Sequence, residues 1–448
     1  MKKNTKIILF SLLGLMILGA ILAVLVMTEP LSEQPSVENI TETISLINRD
    51  LNEVESAEIT NATGNYIIKS SGGAYYIENL DQDIKTNQAE FTKNLGYLAL
   101  LPAEELVEET DDLLKYGLDS PRAKITVNFN DKSGYILNIG DDAPIESKTY
   151  ISINKEKKVY TIQSFKVAPF MLDQFSYVEK LLFPAYEPQS GKEIERVEIT
   201  GSDGKAIVIE PNQNGSFTMT KPQKLMISYE KSEDYIYGLL GLEADRAVGT
   251  FKLNWEHKVT VRYNNEEYTL FIGKETNDGY YASANTFPGM VFVIGAEKLP
   301  WIGVTPETLM SNLFLMPYIH DLSQYVIETD GKTITVTVSG DAESEEFLLD
   351  GNVIEPSRAK DMYQYMISAF AESIYKENPE GLPLARFIYR YKDSAKPDDI
   401  VEFYGSNDRS LIIKVNGETS YKCRENFFKR LVQNINAFES GEKIITSW

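Results

Sequence analysis

A single cysteine, Cys423, leaves this 448-residue chain without an intrachain disulfide, and two histidines, His257 and His320, are too few for a zinc site of ordinary Cys/His composition. Basic residues are also scarce. Forty-four Lys and Arg face 66 Asp and Glu, a formal charge of −22, and no compact basic stretch offsets it, so nucleic acid is not an expected partner. The sequence contains no GxSxG elbow, HExxH helix, GxGxxG fingerprint or EF-hand loop, and it designates no catalytic residue, no cofactor and no metal ligand. Gly331-Lys332-Thr333 ends like a P-loop, but the position of that motif's first glycine holds Val326, so a hairpin turn is the reading. What the chain does have is apolar content. At 43% hydrophobic and 25% charged it can bury a core in each of two to four domains.

Residues 7–27 form 21 consecutive positions without a charge, enough at about 1.5 Å per residue to cross about 30 Å of hydrocarbon. Lys2, Lys3 and Lys6 precede the run and Glu29 and Glu33 follow it. The positive-inside bias therefore keeps residues 1–6 cytoplasmic and places the remainder outside, a single-pass protein of the cell membrane whose first contact is with lipid. A cleaved signal peptide is the alternative, but the run exceeds an ordinary h-region and no A-x-A-like site follows. Residues 28–55, polar and acidic with Pro30 and Pro35, read as a linker.

Beyond the linker the chain repeats itself at a period near 130. Each copy opens with a hairpin, 57–60 with 66–69, 196–200 with 205–209, and 325–329 with 332–338, turning at Gly64, Gly204 and Gly331. Helix-period segments follow at 91–101, 232–242 and 358–370. Next come paired strands ending on a glycine, 125–129 with 135–140, 259–263 with 268–273, and 387–391 with 400–405. Gly140, Gly273 and Gly405 stand 133 and 132 residues apart. Further strands are expected at 149–153 with 158–162 and at 280–284 with 290–294. Copies one and two are expected to close in helices ending at 181–184 and 314–317, and copy three in a helix over 425–438. Alternating apolar residues argue for antiparallel strands with one buried face. The expected fold is thus α+β: an N-terminal transmembrane helix and three tandem units, 56–186, 192–318 and 320–440, with antiparallel sheets and one or two helices each, then a tail at 441–448.

The stretch Tyr116, Gly117, Leu118, Asp119, Ser120 and Pro121, followed by the Ile125 strand, the strand ending at Gly140 and the strand at Lys158 to Tyr160, resembles the signature of the bacterial family known as domain of unknown function 4340. Copy two lacks the Tyr-Gly-Leu element, and copy three keeps only Gly381-Leu382-Pro383 and the strand pattern. The resemblance implies one N-terminal membrane helix and genes often placed beside ABC-type permeases and auxiliary subunits of gliding-type transporters. It brings no catalytic residues.

Other chemistry-bearing residues have plain readings. His257 and His320 sit at element boundaries, and Cys423 occupies a strand position suited to a small buried hydrophobe. The run Glu104, Glu105, Glu108, Glu109, Asp111 and Asp112 places like charges on one helical face, which solvent, a cation or a basic partner would have to screen. Tyr75, Tyr76, Tyr280, Tyr281, Tyr363 and Tyr365 are candidates for sheet packing or for a binding surface. The functional expectation is a non-catalytic, extracytoplasmic binding or coupling subunit of an envelope ABC-type transport complex, engaging a permease or auxiliary subunit. The alternatives are a wall-polysaccharide-binding surface protein and a carboxylate-dependent envelope hydrolase.

Overall fold

A computed structural model describes residues 43–448 except 145–146, 213–214, 232, 330 and 341–343. The transmembrane expectation for 7–27 lies outside the described residues, among which no helix is long and apolar enough to cross a membrane. The fold is α+β and dominated by antiparallel sheet. Two compact units divide it: the first runs to Gln82 and resumes over Thr86–Tyr177, and the second holds Asp83–Lys85 and Val178–Trp448.

The first unit contains an eight-stranded sheet. In spatial order its strands are Ala74–Ile77, Gly64–Ser71, Val54–Asn61, Ala123–Phe129, Gly134–Asp142, Lys148–Ile153, Lys158–Gln163 and Glu105–Glu109. Burial alternates along Ala123–Phe129, so one face of the sheet meets the core. Helix α1, Gln88–Ala99, covers that core. Asn87 starts it by accepting the N–H groups of Ala89 and Glu90, and Phe91 on its inner side stacks on Tyr177 at a centroid distance of 4.4 Å.

The second unit contains two nine-stranded sheets. One runs Leu225–Met226, Phe217–Lys221, Ala206–Pro211, Ile194–Thr200, His257–Tyr263, Glu266–Thr276, Gly279–Ala284, Met290–Ile294, Arg246–Thr250. The other runs Asn352–Ile354, Glu346–Leu349, Lys332–Ser339, Leu322–Thr329, Ala385–Tyr391, Asp399–Gly405, Ser410–Val415, Thr419–Arg424, Ser373–Tyr375. Helices α2, Pro356–Ile367, and α3, Asn426–Ser440, belong to the latter, with Tyr365 stacked on Phe427 at 4.9 Å.

Counting strands by chain order within their own sheet, both nine-stranded sheets read 4-3-2-1-6-7-8-9-5, and the eight-stranded sheet gives the same order with its fourth strand missing. The opening strands also share a defect. Each carries a bulge one residue in from its start, between Val54 and Ser56, Ile194 and Arg196, and Leu322 and Gln324.

Several expected elements differ. The residues expected as a helix over 232–242 make only a single π turn, Glu233–Tyr237, ending in the loop before Arg246. The helices expected to end at 181–184 and 314–317 are short turns, Ser164–Val167 and Pro306–Leu309. After Ser164–Val167 come two 3-10 turns, Ala168–Met171 and Gln174–Tyr177, and the residues expected to end the helix pair instead: Leu182 N–H bonds the Leu242 carbonyl at 2.9 Å and Ala244 N–H the Lys180 carbonyl at 2.9 Å, which ties 180–184 to the second unit from Val178 onward. Asn312 and Ala371 are joined likewise at 2.8 Å. Within the stretch expected as linker, Ile44–Asn48 is a strand paired with Leu100–Ala103, because its alternating Ile and Leu find a partner edge just after α1.

Candidate binding groove

His257 begins a strand opposite Ile272 and lines a cleft of about 430 Å³ with Asp203, Lys205, Trp301, Glu307 and Lys376. The cations there already face acids: Lys205 lies 2.9 Å from Asp203 and Lys376 3.9 Å from Glu307. His320 Nδ1 lies 3.4 Å from Glu345 Oε2, while Lys360 meets the other oxygen of that carboxylate. The two histidines line separate places and face no common nucleophile. Cys423 is fully buried, and burial pushes its thiol up to about 11, so it packs as a hydrophobe.

The acidic run is not helical. Glu105–Glu109 is an edge strand paired with Lys158–Gln163, because the Leu106 and Val107 pair in its middle suits a strand. Screening comes from lysines of the same unit: Lys115 reaches Glu108 at 3.4 Å, Lys148 reaches Glu105 at 3.9 Å and Lys157 reaches Asp111 at 2.5 Å. Tyr116 also donates its hydroxyl to Glu108, holding that carboxyl below its ordinary value, with Lys115 the next cause.

Of the tyrosines singled out from sequence, Tyr75, Tyr363 and Tyr365 are buried, and Tyr76, Tyr280 and Tyr281 are half-buried. The accessible aromatic surface lies elsewhere. Tyr186, Phe217, Tyr229 and Tyr237 line an open groove of about 920 Å³ in the second unit, floored by Ile227 and Leu240. Tyr237 anchors it: its ring lies 4.7 Å from that of Tyr186 at 46° and receives the edge of Phe217 at 6.0 Å and 87°. Burial first, then Tyr186, raises the Tyr237 hydroxyl above the usual tyrosine value. Tyr229 stands at the mouth, 91% exposed.

Sequence reasoning missed this groove because its four rings come from three segments, around Tyr186, around Phe217 and over 229–237. The one local signal is the spacing of Tyr229, Tyr235 and Tyr237 around a short acidic stretch. Chemically the groove offers ring faces and the carboxylates of Glu230 and Glu233.

The signature around Tyr116 turns out to be packing. Tyr116, Leu118 and Val159 form a buried cluster with Leu113 and Tyr150 against it, and the Tyr116 carbonyl passes over Gly140. No curated protein and no solved structure matches the chain. A family model described as a domain of unknown function, DUF4340, matches residues 79–254, a span that holds both the Tyr116 cluster and the aromatic groove.

Proposed function

We propose that this chain is a membrane-anchored, non-catalytic binding subunit whose ectodomain, three copies of one α+β unit, couples a partner to an envelope ABC-type transport complex. The observation that carries the binding role is the aromatic groove: four rings from three chain segments converge on an open surface where each stays accessible to a ligand. The shared strand order of the three large sheets and their bulge at one position support the three-copy reading. The chain segments that enter the copies support it too. Ile44–Asn48, 180–184 and Asn312 each pair with the stretch that follows the helical part of the copy they enter. The tail of copy three instead turns back, with Ile445 bonded to Asn434 and Trp448 to Ser368.

The transport context rests on the family resemblance and the anchor on residues 7–27. Tethering near a permease raises the effective concentration of a weak binder, so modest contacts suffice. Crosslinking in native membranes, followed by mass spectrometry of copurifying proteins, tests the reading. Recovery of a permease or auxiliary subunit is expected; turnover of a wall polymer abolished by one carboxylate substitution, with no such subunit recovered, sinks it.

A further inference from the structure

We infer that the groove formed by Tyr186, Phe217, Tyr229 and Tyr237 takes a proline-rich, basic segment of a partner protein in the polyproline II conformation. The inference deepens the binding role proposed above and rests on it.

Ring geometry is the first argument. Tyr186 and Phe217 meet Tyr237 at 46° and 87°, so the rings stand inclined to one another and divide the groove into apolar slots. A polyproline II segment turns every three residues, carries no internal hydrogen bonds and keeps its backbone solvated, so it can fill such slots without a sheet edge. It is also already extended, so docking costs little conformational entropy.

Charge is the second. Glu230 and Glu233 are exposed on the groove's lining, and among the described residues neither makes an ion pair. The neighbouring cation, Lys231, is turned away, donating its ammonium to the Thr308 carbonyl. Two acids beside ring faces complement arginine or lysine flanking prolines, through charge and through the stacking of a cation on a tyrosine. An acidic or anionic polymer is repelled by the same pair.

Polar chemistry separates this ligand from a sugar. Glycan recognition needs many convergent donors and acceptors, whereas apart from tyrosine hydroxyls and the two glutamates the lining offers Ser216, whose hydroxyl already donates to Asn212 Oδ1 at 3.1 Å. Among the described residues the groove is rich in rings and poor in free hydrogen-bonding side chains.

The test uses the full chain in detergent and fluorescence anisotropy with three labelled synthetic peptides: a proline-rich peptide carrying two arginines, the same peptide with glycine for proline, and the same peptide with glutamate for arginine. The first is expected to bind and to weaken as salt rises. Tyr229→Ala, at a position too exposed to affect folding, is expected to weaken it about ten-fold, equivalent to about 1.4 kcal/mol, and the double variant Glu230→Lys, Glu233→Lys by at least as much. Equal binding of the glycine peptide, no binding of the proline peptide, indifference to Tyr229→Ala, or displacement by a chitin-type oligosaccharide at lower concentration than by unlabelled peptide would each overturn the assignment. If the Tyr229→Ala chain still crosslinks to its membrane partner while the peptide assay fails, the groove assignment falls and the coupling role stands.

Discussion

Asn416 and Ile400 are joined twice: the Asn416 N–H donates to the Ile400 carbonyl at 2.8 Å, and the Asn416 side-chain oxygen accepts the Ile400 N–H at 2.7 Å. The same double bond links Asn285 to Thr269 at 3.0 and 2.9 Å, and Asn154 to Ile136 at 2.7 and 3.0 Å. Asn154, Asn285 and Asn416 stand 131 residues apart in both steps. Each closes the end of a strand where a ladder bond would otherwise be lost, and two of them hold φ near +55°, a conformation asparagine tolerates better than most residues. Asn416→Ala removes the acceptor and adds backbone strain together, so thermal or denaturant unfolding should show a loss of about 1–2 kcal/mol. Asn154→Asp keeps the acceptor and is expected to cost less than Asn154→Ala.

These asparagines mark how far the sequence could be read. Strand pairs around Gly140, Gly273 and Gly405 were legible because alternation and turn residues are local signals, and α1 and α2 were legible from their apolar period. The acidic run at Glu104 was not, since charge spacing fits a helix as well as a strand edge and only the pairing with Lys158–Gln163 decides. Nor was Ile44–Asn48, five residues whose strand character depends on a partner edge some fifty positions away. The groove was illegible for a similar reason: Tyr186 and Tyr237 meet only because residues 180–184 run beside Leu240–Ala244.

The recurring glycines differ in what requires them. A Cβ on Gly140 would lie 2.2 Å from the Tyr116 carbonyl oxygen, a backbone atom that cannot step aside without moving the signature turn. On Gly273 the nearest atom is the Leu253 side chain at 2.8 Å, and on Gly405 the Leu384 side chain at 3.5 Å, an ordinary contact. Alanine at these three positions should therefore lower the melting temperature in the order Gly140, Gly273, Gly405, with Gly405→Ala close to unchanged. A large loss at Gly405 with a small one at Gly140 would contradict the close approach of Tyr116.

Cys423 gives a clean measure of core integrity because it is the only thiol in the chain. Its burial, and a thiol pushed up to about 11 chiefly by that burial, predict negligible alkylation of the native chain at pH 8 and complete alkylation after denaturation. Rapid native labelling would mean that the strand Thr419–Arg424 opens readily.

Arg122 and Asp142 set an acid limit on the first unit. The Arg122 guanidinium lies 2.7 Å from Asp142 Oδ1 and its second terminal nitrogen 3.2 Å from Oδ2, while Nε donates to the Gly140 carbonyl at 2.6 Å. The hydrogen bond from Arg122, reinforced by the Thr149 hydroxyl, holds the Asp142 carboxyl below the ordinary aspartate value. In the unfolded chain the carboxyl titrates near the usual value of about 3.9. Between the two values the unfolded state binds the extra proton, so the contribution of the pair is complete above about pH 4 and is lost as the pH falls through the folded value. Arg122→Gln should lower the melting temperature of the first unit at neutral pH and flatten its dependence on pH below about 4, leaving at the lowest pH only the difference due to the lost Gly140 bond. Parallel acid limbs for the wild type and the variant would show that Asp142 does not draw its low value from Arg122.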